Sequence, residues 1–219
     1  MSFEFQGKKY WLKQAEKLHG IMRLLKGDAN KAFEREIKVL KRMNSKHAPV
    51  PKIICQDADF FVLEDSGKTV KDWVCQPNTS QISLQKIIND SSQALAKLHS
   101  MNLTHGRPAL RDICWDKGAV IFIDFESKYA TKNIEKRQVR DLILFIHSLF
   151  RYLGPNTIMI AEAIEHYRNS GGEWVWLQTA KFVHSWQWLY YLTIPFKYNG
   201  GKDLTPVFWT LNYFRDNKT

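Results

Sequence analysis

Apolar and polar residues alternate along the first part of the chain in the way that is typical of short β-strands. The run FEF, the turn QGKK and the returning run YWLKQA predict a hairpin over residues 1–15, with Lys13 on its second strand. Two later runs, KIICQ and FFVLED, predict strands around a DAD turn, and the following SGKTV predicts a loop. Between these regions, NKAFEREIKVLKRM spaces its apolar residues at helical intervals, so that Glu34 and Glu36 project from one amphipathic helix.

From about Leu84 onward, helical spacing dominates the pattern. ISLQKIINDSSQALAKLHSM places its large aliphatic residues on one helical face, and ICW, DKG and AVIFIDF predict a second hairpin. The remainder is helix-rich, with loops at GPN, SGG and YNGGKD. We therefore expect an α+β protein of two lobes: a small β-rich lobe with one helix over residues 1–65, and a mainly helical lobe carrying the second hairpin over residues 66–219.

The composition narrows the setting in which such a protein works. An apolar content of 44% is ample for a folded core, and the odd number of widely spaced cysteines indicates neither a disulfide framework nor a zinc site. The N-terminal segment has no apolar core of the kind found in signal peptides. The longest strongly apolar run, LILFIHSLF, is too short to span a bilayer. We expect a cytoplasmic location. The alternative is a peripheral position on the cytoplasmic face of the membrane.

The charge of the chain favours anionic partners. Thirty-two Lys and Arg residues oppose 22 Asp and Glu residues, which gives a formal net charge of +10. Nucleotides, phosphorylated sugars, nucleic acid and acidic membranes all fit this charge, as does the simpler interpretation of solvated basic surfaces. The chain has no recognisable nucleic-acid recognition module, so nucleic-acid binding ranks last and no nucleic-acid partner is expected.

Two aspartates frame the second hairpin. Asp112 precedes its first strand and Asp124 follows its second, each six residues from Gly118 in the turn. Positions equidistant from a turn lie opposite one another in an antiparallel pair, with Cα atoms roughly 5 Å apart. Two converging carboxylates with phosphate oxygens are typical ligands of Mg²⁺, so this spacing predicts a divalent metal site. The alternative is a pair of solvated turn acids.

The order of these features resembles a known fold. A strand lysine, a helix glutamate, LED, LAKLH, HG, a hairpin and IDFE follow one another as in the protein-kinase-like fold. The likeness is strongest to its compact bacterial members, the lipopolysaccharide Kdo/heptose kinases and related sugar and aminoglycoside phosphotransferases, and it covers nearly all of the chain. The resemblance implies a two-lobed kinase-like fold with ATP and Mg²⁺ as cofactors.

The resemblance also assigns roles in nucleotide binding. It implies that Lys13 steadies the nucleotide phosphates and pairs with Glu36, with Glu34 as the less favoured partner. Glu64 and Asp65 fall at the junction of the two lobes, where such folds receive adenine.

The resemblance extends to the residues expected near the transferred phosphate. IDF resembles the metal-binding Asp-Phe-Gly motif, with Glu126 in place of the glycine. Asp124, together with Asp112, is therefore the implied metal ligand. Asp141 falls where these folds keep a buried helix aspartate that braces the catalytic loop.

The segment HGRPALRD departs from the family pattern H-x-D-x-x-x-x-N. In this register His105 begins the catalytic loop, Arg107 replaces the catalytic aspartate and Asp112 replaces the asparagine. A guanidinium cannot accept a proton, but it binds phosphate bidentately or neutralises a pair of carboxylates. A second departure is that the glycine-rich strand pair that covers the phosphates is missing ahead of Lys13.

We therefore expect an ATP-dependent phosphotransferase with catalytic residues Asp112, Arg107 and His105. The resemblance implies that it phosphorylates a hydroxyl of a lipopolysaccharide or other envelope sugar or lipid precursor. The alternative is an inactive pseudokinase that senses a nucleotide or binds a partner. The aromatic C-terminal third predicts core packing, or contact with the inner membrane where a glycolipid acceptor is presented.

Overall fold

The computed structural model describes residues 1–14, 29–125 and 131–217, and these form a mixed α+β structure. The α+β class predicted from the sequence is confirmed. A small antiparallel sheet lies in the N-terminal part of the chain, and a largely helical part follows it.

The N-terminal sheet has four antiparallel strands in the order β1-β2-β4-β3. Their bounds are β1 Ser2–Phe5, β2 Lys8–Gln14, β3 Ile53–Gln56 and β4 Phe60–Glu64. Helix α1, Ala29–Ser45, packs against this sheet, and the ring of Phe33 lies 5.2 Å from that of Phe61. Both strand pairs agree with the alternation in the sequence, since β1 and β2 are joined by a tight turn and β3 and β4 flank the DAD segment.

A second, three-stranded sheet begins immediately after the first. It comprises β5 Lys68–Thr69, β6 Ile113–Asp116 and β7 Ala119–Phe122 in the order β5-β6-β7. The prediction of a loop at SGKTV was therefore wrong, because Lys68 and Thr69 pair with β6. Thr69 also accepts a hydrogen bond from the Asp72 N–H and so caps helix α2, Val70–Val74.

The register of the second hairpin differs by one residue from the prediction. Lys117 and Gly118 both adopt positive φ, at 47° and 92°, as a two-residue type I′ turn requires. The symmetry point therefore lies between these two residues and not on Gly118. As a result Asp112 lies opposite Ile123, whose N–H donates to the Asp112 carbonyl at 2.9 Å, and Asp124 lies one step further along.

Helices form the rest of the described chain. The long α3, Gln81–Ser100, buries Ile87, Ile88, Leu95 and Leu98 on the face predicted from the spacing of its apolar residues. A 3-10 turn, Leu110–Asp112, leads into β6. The later helices are α4 Ile134–Leu153, α5 Thr157–Tyr167, α6 Glu173–Ser185, α7 Trp188–Thr193, α8 Phe196–Asn199 and α9 Gly201–Asp216.

One apolar core extends through both parts of the structure. It runs from Phe33 and Phe61 beside the first sheet to Trp176 and Phe214 between the C-terminal helices. The rings of Trp176 and Phe214 stack with centroids 5.0 Å apart. Across the ranges that the structure describes, no helix combines the length and the apolar character needed to cross a membrane.

Candidate functional site

The candidate site is a cleft of about 730 Å³ between the two sheets. Its walls come from β2, β4 and α1 on one side and from the second sheet on the other. The volume lies within the range of small-molecule binding sites. Five residues singled out from the sequence line this cleft: Lys13, Glu36, Glu64, Asp65 and Asp124.

Lys13 and Glu36 form the predicted ion pair. The Lys13 Nζ donates a hydrogen bond to Glu36 Oε1, which joins strand β2 to helix α1. Glu34, the less favoured partner, is exposed on the same helix. Because both side chains of the pair are partly exposed, the pair contributes little to stability, and its effect is to hold an ammonium group at the wall of the cleft.

The junction between the sheets is fixed by the Asp65 carboxylate. Trp11 Nε1–H donates to one carboxylate oxygen at 2.5 Å, and the Gly67 N–H donates to the other at 3.0 Å. Lys9 Nζ lies 3.8 Å from the same carboxylate. Asp65 therefore anchors the segment that connects the two sheets, while its neighbour Glu64 ends β4 at the edge of the cleft.

Sequence reasoning missed two residues of the cleft wall, Lys9 and Trp11. They alternate with Lys13 along β2, and side chains at positions i, i+2 and i+4 of a strand share one face. Once Lys13 is placed in the cleft, this alternation is the signal that would have identified them. Trp11 gives the cleft an aromatic wall, because its side chain is 42% exposed and lies beside the cleft.

The loop that begins with His105 is held by helix α4. Asp141, which is fully buried, accepts hydrogen bonds from the His105 N–H at 2.7 Å and the Gly106 N–H at 2.9 Å. Seven residues further along the same helix face, Ser148 Oγ accepts from the Leu110 N–H at 2.9 Å. The brace that the resemblance implies for Asp141 is thus present as a contact, and it holds the loop against α4.

His105 itself is buried and has both ring nitrogens engaged. Nε2 lies 2.8 Å from the Ile123 carbonyl, to which it donates, while Nδ1 accepts from the Arg107 N–H at 3.2 Å. The ring stacks on Phe125 with centroids 4.6 Å apart. Burial lowers the pKa of His105 below its usual range, so the imidazole is neutral and ties the loop to the end of the second hairpin.

Arg107 lies between the two aspartates. Its Nε is 3.6 Å from Asp112 Oδ2, and its Nη2 donates to Asp124 Oδ2 at 3.3 Å. Both carboxylates contact the same guanidinium, but the predicted pairing of Asp112 with Asp124 was wrong by one residue in the hairpin register. Asp124 has a left-handed backbone with φ of 60°, an arrangement that non-glycine residues rarely adopt and that tends to occur at functional sites.

Asp112 is the carboxylate with the most perturbed protonation. Burial raises its pKa to about 6, despite the opposing effects of Arg107 and of Arg111, whose Nε lies 3.5 Å from Oδ2. Neither Asp112 Oδ2 nor Arg107 Nε has a hydrogen-bond partner, although both atoms are buried. Two guanidinium groups compensate the charge of this oxygen only in part, because they lie at 3.5 and 3.6 Å, and its burial favours the protonated carboxyl.

The donor set fits Mg²⁺ only in combination with phosphate. Within the described ranges, no group of three or more His, Cys, Asp and Glu side chains is arranged to hold a metal ion. Mg²⁺ is commonly held by one or two carboxylates together with substrate phosphates and water, and Asp112 and Asp124 would supply such a pair once Arg107, which contacts both, turns away. Glu126, the neighbour of the IDF motif, lies outside the described residues.

Comparison with known proteins places the chain in a family. No protein-family model matches it. An uncharacterized protein of Haemophilus influenzae is 40% identical over 212 residues, which cover 97% of this chain and 88% of that protein. The chain belongs to the same family as this Haemophilus protein, and the two align over almost their whole length.

Proposed function

We propose that the protein is an ATP-dependent phosphotransferase with a two-lobed protein-kinase-like architecture, in which residues 1–65 and 66–219 form the lobes. The observation that supports it best is the meeting of several groups in one cleft. The Lys13–Glu36 pair, the Glu64–Asp65 junction and the Asp124 end of the hairpin all line the same 730 Å³ space. The chemistry expected of these side chains is the binding of a nucleotide between the lobes.

In this function, the nucleotide lies along the face of β2. The Trp11 indole offers a flat apolar surface for the base, and Lys13 places a positive charge for the phosphates. Glu36 holds the Lys13 ammonium towards the cleft and limits its rotamers. Lys9, which lines the same wall, adds a second cation and compensates in part for the missing glycine-rich strand pair.

Asp124 lines the cleft, and Arg107, which contacts both aspartates, joins it to Asp112, which lies outside the cleft lining. Mg²⁺ held by the two carboxylates would neutralise charge on the transferring phosphate. Asp112, whose pKa is about 6 without a metal ion, is mostly ionised at neutral pH and would accept the proton of the acceptor hydroxyl through a water. Arg107 turns from the carboxylates to the phosphate oxygens, and His105 holds the loop on which Arg107 stands.

The acceptor we propose is a hydroxyl of a lipopolysaccharide or other envelope sugar or lipid precursor. The resemblance to compact bacterial sugar kinases and the positive charge of the chain support an anionic acceptor of this kind. Anionic acceptors complement the cations near the cleft, among them Arg107 and Arg111.

A second candidate is a pseudokinase that binds a nucleotide or a partner without turnover. The position of Arg107 favours it, because a guanidinium 3.6 Å from one carboxylate and 3.3 Å from the other neutralises both without a metal ion. Since arginine does not lose its proton at any working pH, this neutralisation is permanent unless the side chain moves.

Radiolabelled phosphate transfer tests the proposal. The protein is incubated with γ-labelled ATP, Mg²⁺ and a panel of lipopolysaccharide core sugars and lipid precursors, with Asp124→Asn as the inactive variant. We expect label on at least one acceptor with the wild-type protein and none above background with the variant. ATP that binds in the cleft but is never consumed, whatever the acceptor, would overturn the phosphotransferase in favour of the pseudokinase.

A further inference from the structure

The C-terminal helices expose a broad apolar surface far along the chain from the cleft residues. Helices α7 and α8 contain no buried residue, and Trp188, Tyr191 and Leu192 are 56%, 69% and 59% exposed. We call this the aromatic surface, formed by the exposed side chains of Phe182, Trp186, Trp188, Tyr191, Leu192 and Tyr198. Single exposed apolar residues need no explanation, but a contiguous patch marks an interaction site.

A groove of about 800 Å³ continues the aromatic surface between α4 and α6. Its apolar lining includes Val139, Ile143 and Trp174, and Phe182 belongs to both the groove and the surface. The Phe182 ring lies 6.4 Å from that of Trp186, which in turn lies 6.1 Å from that of Trp188. The groove therefore continues into the aromatic surface through Phe182, Trp186 and Trp188.

The segment that carries most of this face is basic. The chain contains no Asp or Glu from Trp174 to Lys202, whereas Lys181, Lys197 and Lys202 fall within that span. Lys136 and Lys181 line the groove, as does Glu135 at the start of α4. Lys197 Nζ lies over the rings of Tyr198 and Trp209, 5.0 and 5.4 Å from their centroids, so cation–π contacts hold this charge against the aromatic side chains.

We propose that this face docks on the surface of an anionic lipid bilayer. Trp and Tyr side chains, apolar at one end and polar at the other, favour the interfacial layer, and the lysines attract anionic head groups. This inference goes beyond the phosphotransferase function and does not rest on it, because neither docking nor its test requires ATP.

Charge argues against a second copy of the chain as the occupant. A symmetric dimer through this face would bring the same surface of two subunits together. Lysines 181, 197 and 202 of each subunit would then meet a stretch that has no acidic residue, in a chain of net charge +10. Such a contact repels itself, whereas a bilayer of anionic lipids complements it.

Vesicle co-sedimentation of the full-length protein tests the docking. The vesicles are equimolar phosphatidylglycerol and phosphatidylcholine, with pure phosphatidylcholine for comparison. The apolar variant is Trp188→Ser/Tyr191→Ser/Leu192→Ser, matched by Ile82→Ser/Ile158→Ser, which removes side chains that are 85% and 81% exposed on other helices. The charge variant is Lys181→Glu/Lys202→Glu, matched by Lys41→Glu/Lys117→Glu, which changes the net charge equally.

We expect the wild-type protein to bind the phosphatidylglycerol vesicles, and the apolar and charge variants to bind ~10-fold or more weakly. The two matched variants should bind as the wild type does. If the apolar variant does not give a wild-type melting curve, the charge variant and its match decide the question. Equal binding by the charge variant and its matched variant would overturn the docking proposal. So would a wild-type protein that does not bind the vesicles and instead forms a dimer, if that dimer dissociates when Lys181 and Lys202 are changed.

Discussion

At the scale of single residues, Arg107 brings a permanent positive charge to the place where Asp112 and Asp124 converge. Its contacts of 3.6 and 3.3 Å are longer than strong charge-assisted hydrogen bonds, and its Nε has no partner. In the proposed phosphotransferase the guanidinium exchanges these two contacts for the oxygens of a phosphate. The sequence identifies the departure from the kinase pattern, but the contacts of Arg107 depend on the hairpin register, which local spacing leaves one residue uncertain.

Replacing Arg107 tests its part in phosphate transfer. We expect Arg107→Ala to lower the transfer rate by ~10²–10³-fold, since charge stabilisation at a reacting centre is typically worth that much. Arg107→Lys should restore little of the rate, because an ammonium cannot reproduce the bidentate fork. Steady-state kinetics with melting curves provide the measurement. A destabilised Arg107→Ala protein that binds Mg²⁺ more tightly, made from a parent without turnover, would instead support the pseudokinase.

Asp112 predicts a pH dependence of stability with a definite sign. Its pKa is raised from 3.8 to about 6 in the folded state, so the folded protein binds this proton more tightly than the unfolded chain does. The stabilisation that protonated Asp112 gives the folded state is therefore fully present below about pH 4 and is lost as the pH rises through about 6. Relative to Asp112→Asn, the wild type should lose ~2–3 kcal/mol of unfolding free energy over that range. Urea unfolding at several pH values measures this difference, and parallel pH profiles for the two proteins would contradict it.

At the scale of elements, the spacing of apolar residues correctly predicted the helices and strands that depend on contacts within one segment. The apolar face of α3 and the strands of the first sheet follow from the spacing of side chains within each segment. The short strand β5 was missed because two residues have no periodicity, and their pairing depends on β6, more than forty residues later. The hydrogen bonds from the loop to Asp141 join residues that lie 35 and 36 positions apart in the sequence. Local patterns cannot reveal such contacts, so only the resemblance to kinases identified them.

The contact between α4 and the loop can be broken at one atom. In Asp141→Asn the side chain retains one acceptor and gains a donor that faces a backbone N–H, so we expect a loss of ~2–4 kcal/mol of unfolding free energy. Chemical denaturation provides the measurement. Asp203→Asn is the matched control, since Asp203 pairs with Arg151 at 2.8 Å on the surface and should change stability little. Equal effects of the two changes would show that Asp141 does not brace the loop.

At the scale of the whole molecule, basic residues lie on two separate faces. Lys9 and Lys13 line the cleft, where we propose that a nucleotide's phosphates bind, and Lys181 lines the groove beside the aromatic surface, where we propose that lipid head groups bind. Net charge was visible in the composition, but its division between two faces depends on the packing of distant helices. An enzyme that acts on envelope precursors would use both faces, one for the nucleotide and one to reach its acceptor.

The central claim is that the cleft binds Mg²⁺-ATP through Lys13 and Asp124, and isothermal titration calorimetry tests it most directly. The wild-type protein should bind Mg²⁺-ATP at one site, and Lys13→Met and Asp124→Asn should each weaken the affinity by ~10-fold or more with little change in melting temperature. Lys86→Met is the matched control, because it breaks an ion pair with Asp90, at 3.1 Å, outside the cleft, and it should bind as the wild type does. No heat of binding with the wild type, or equal affinity in all four proteins, would contradict the account.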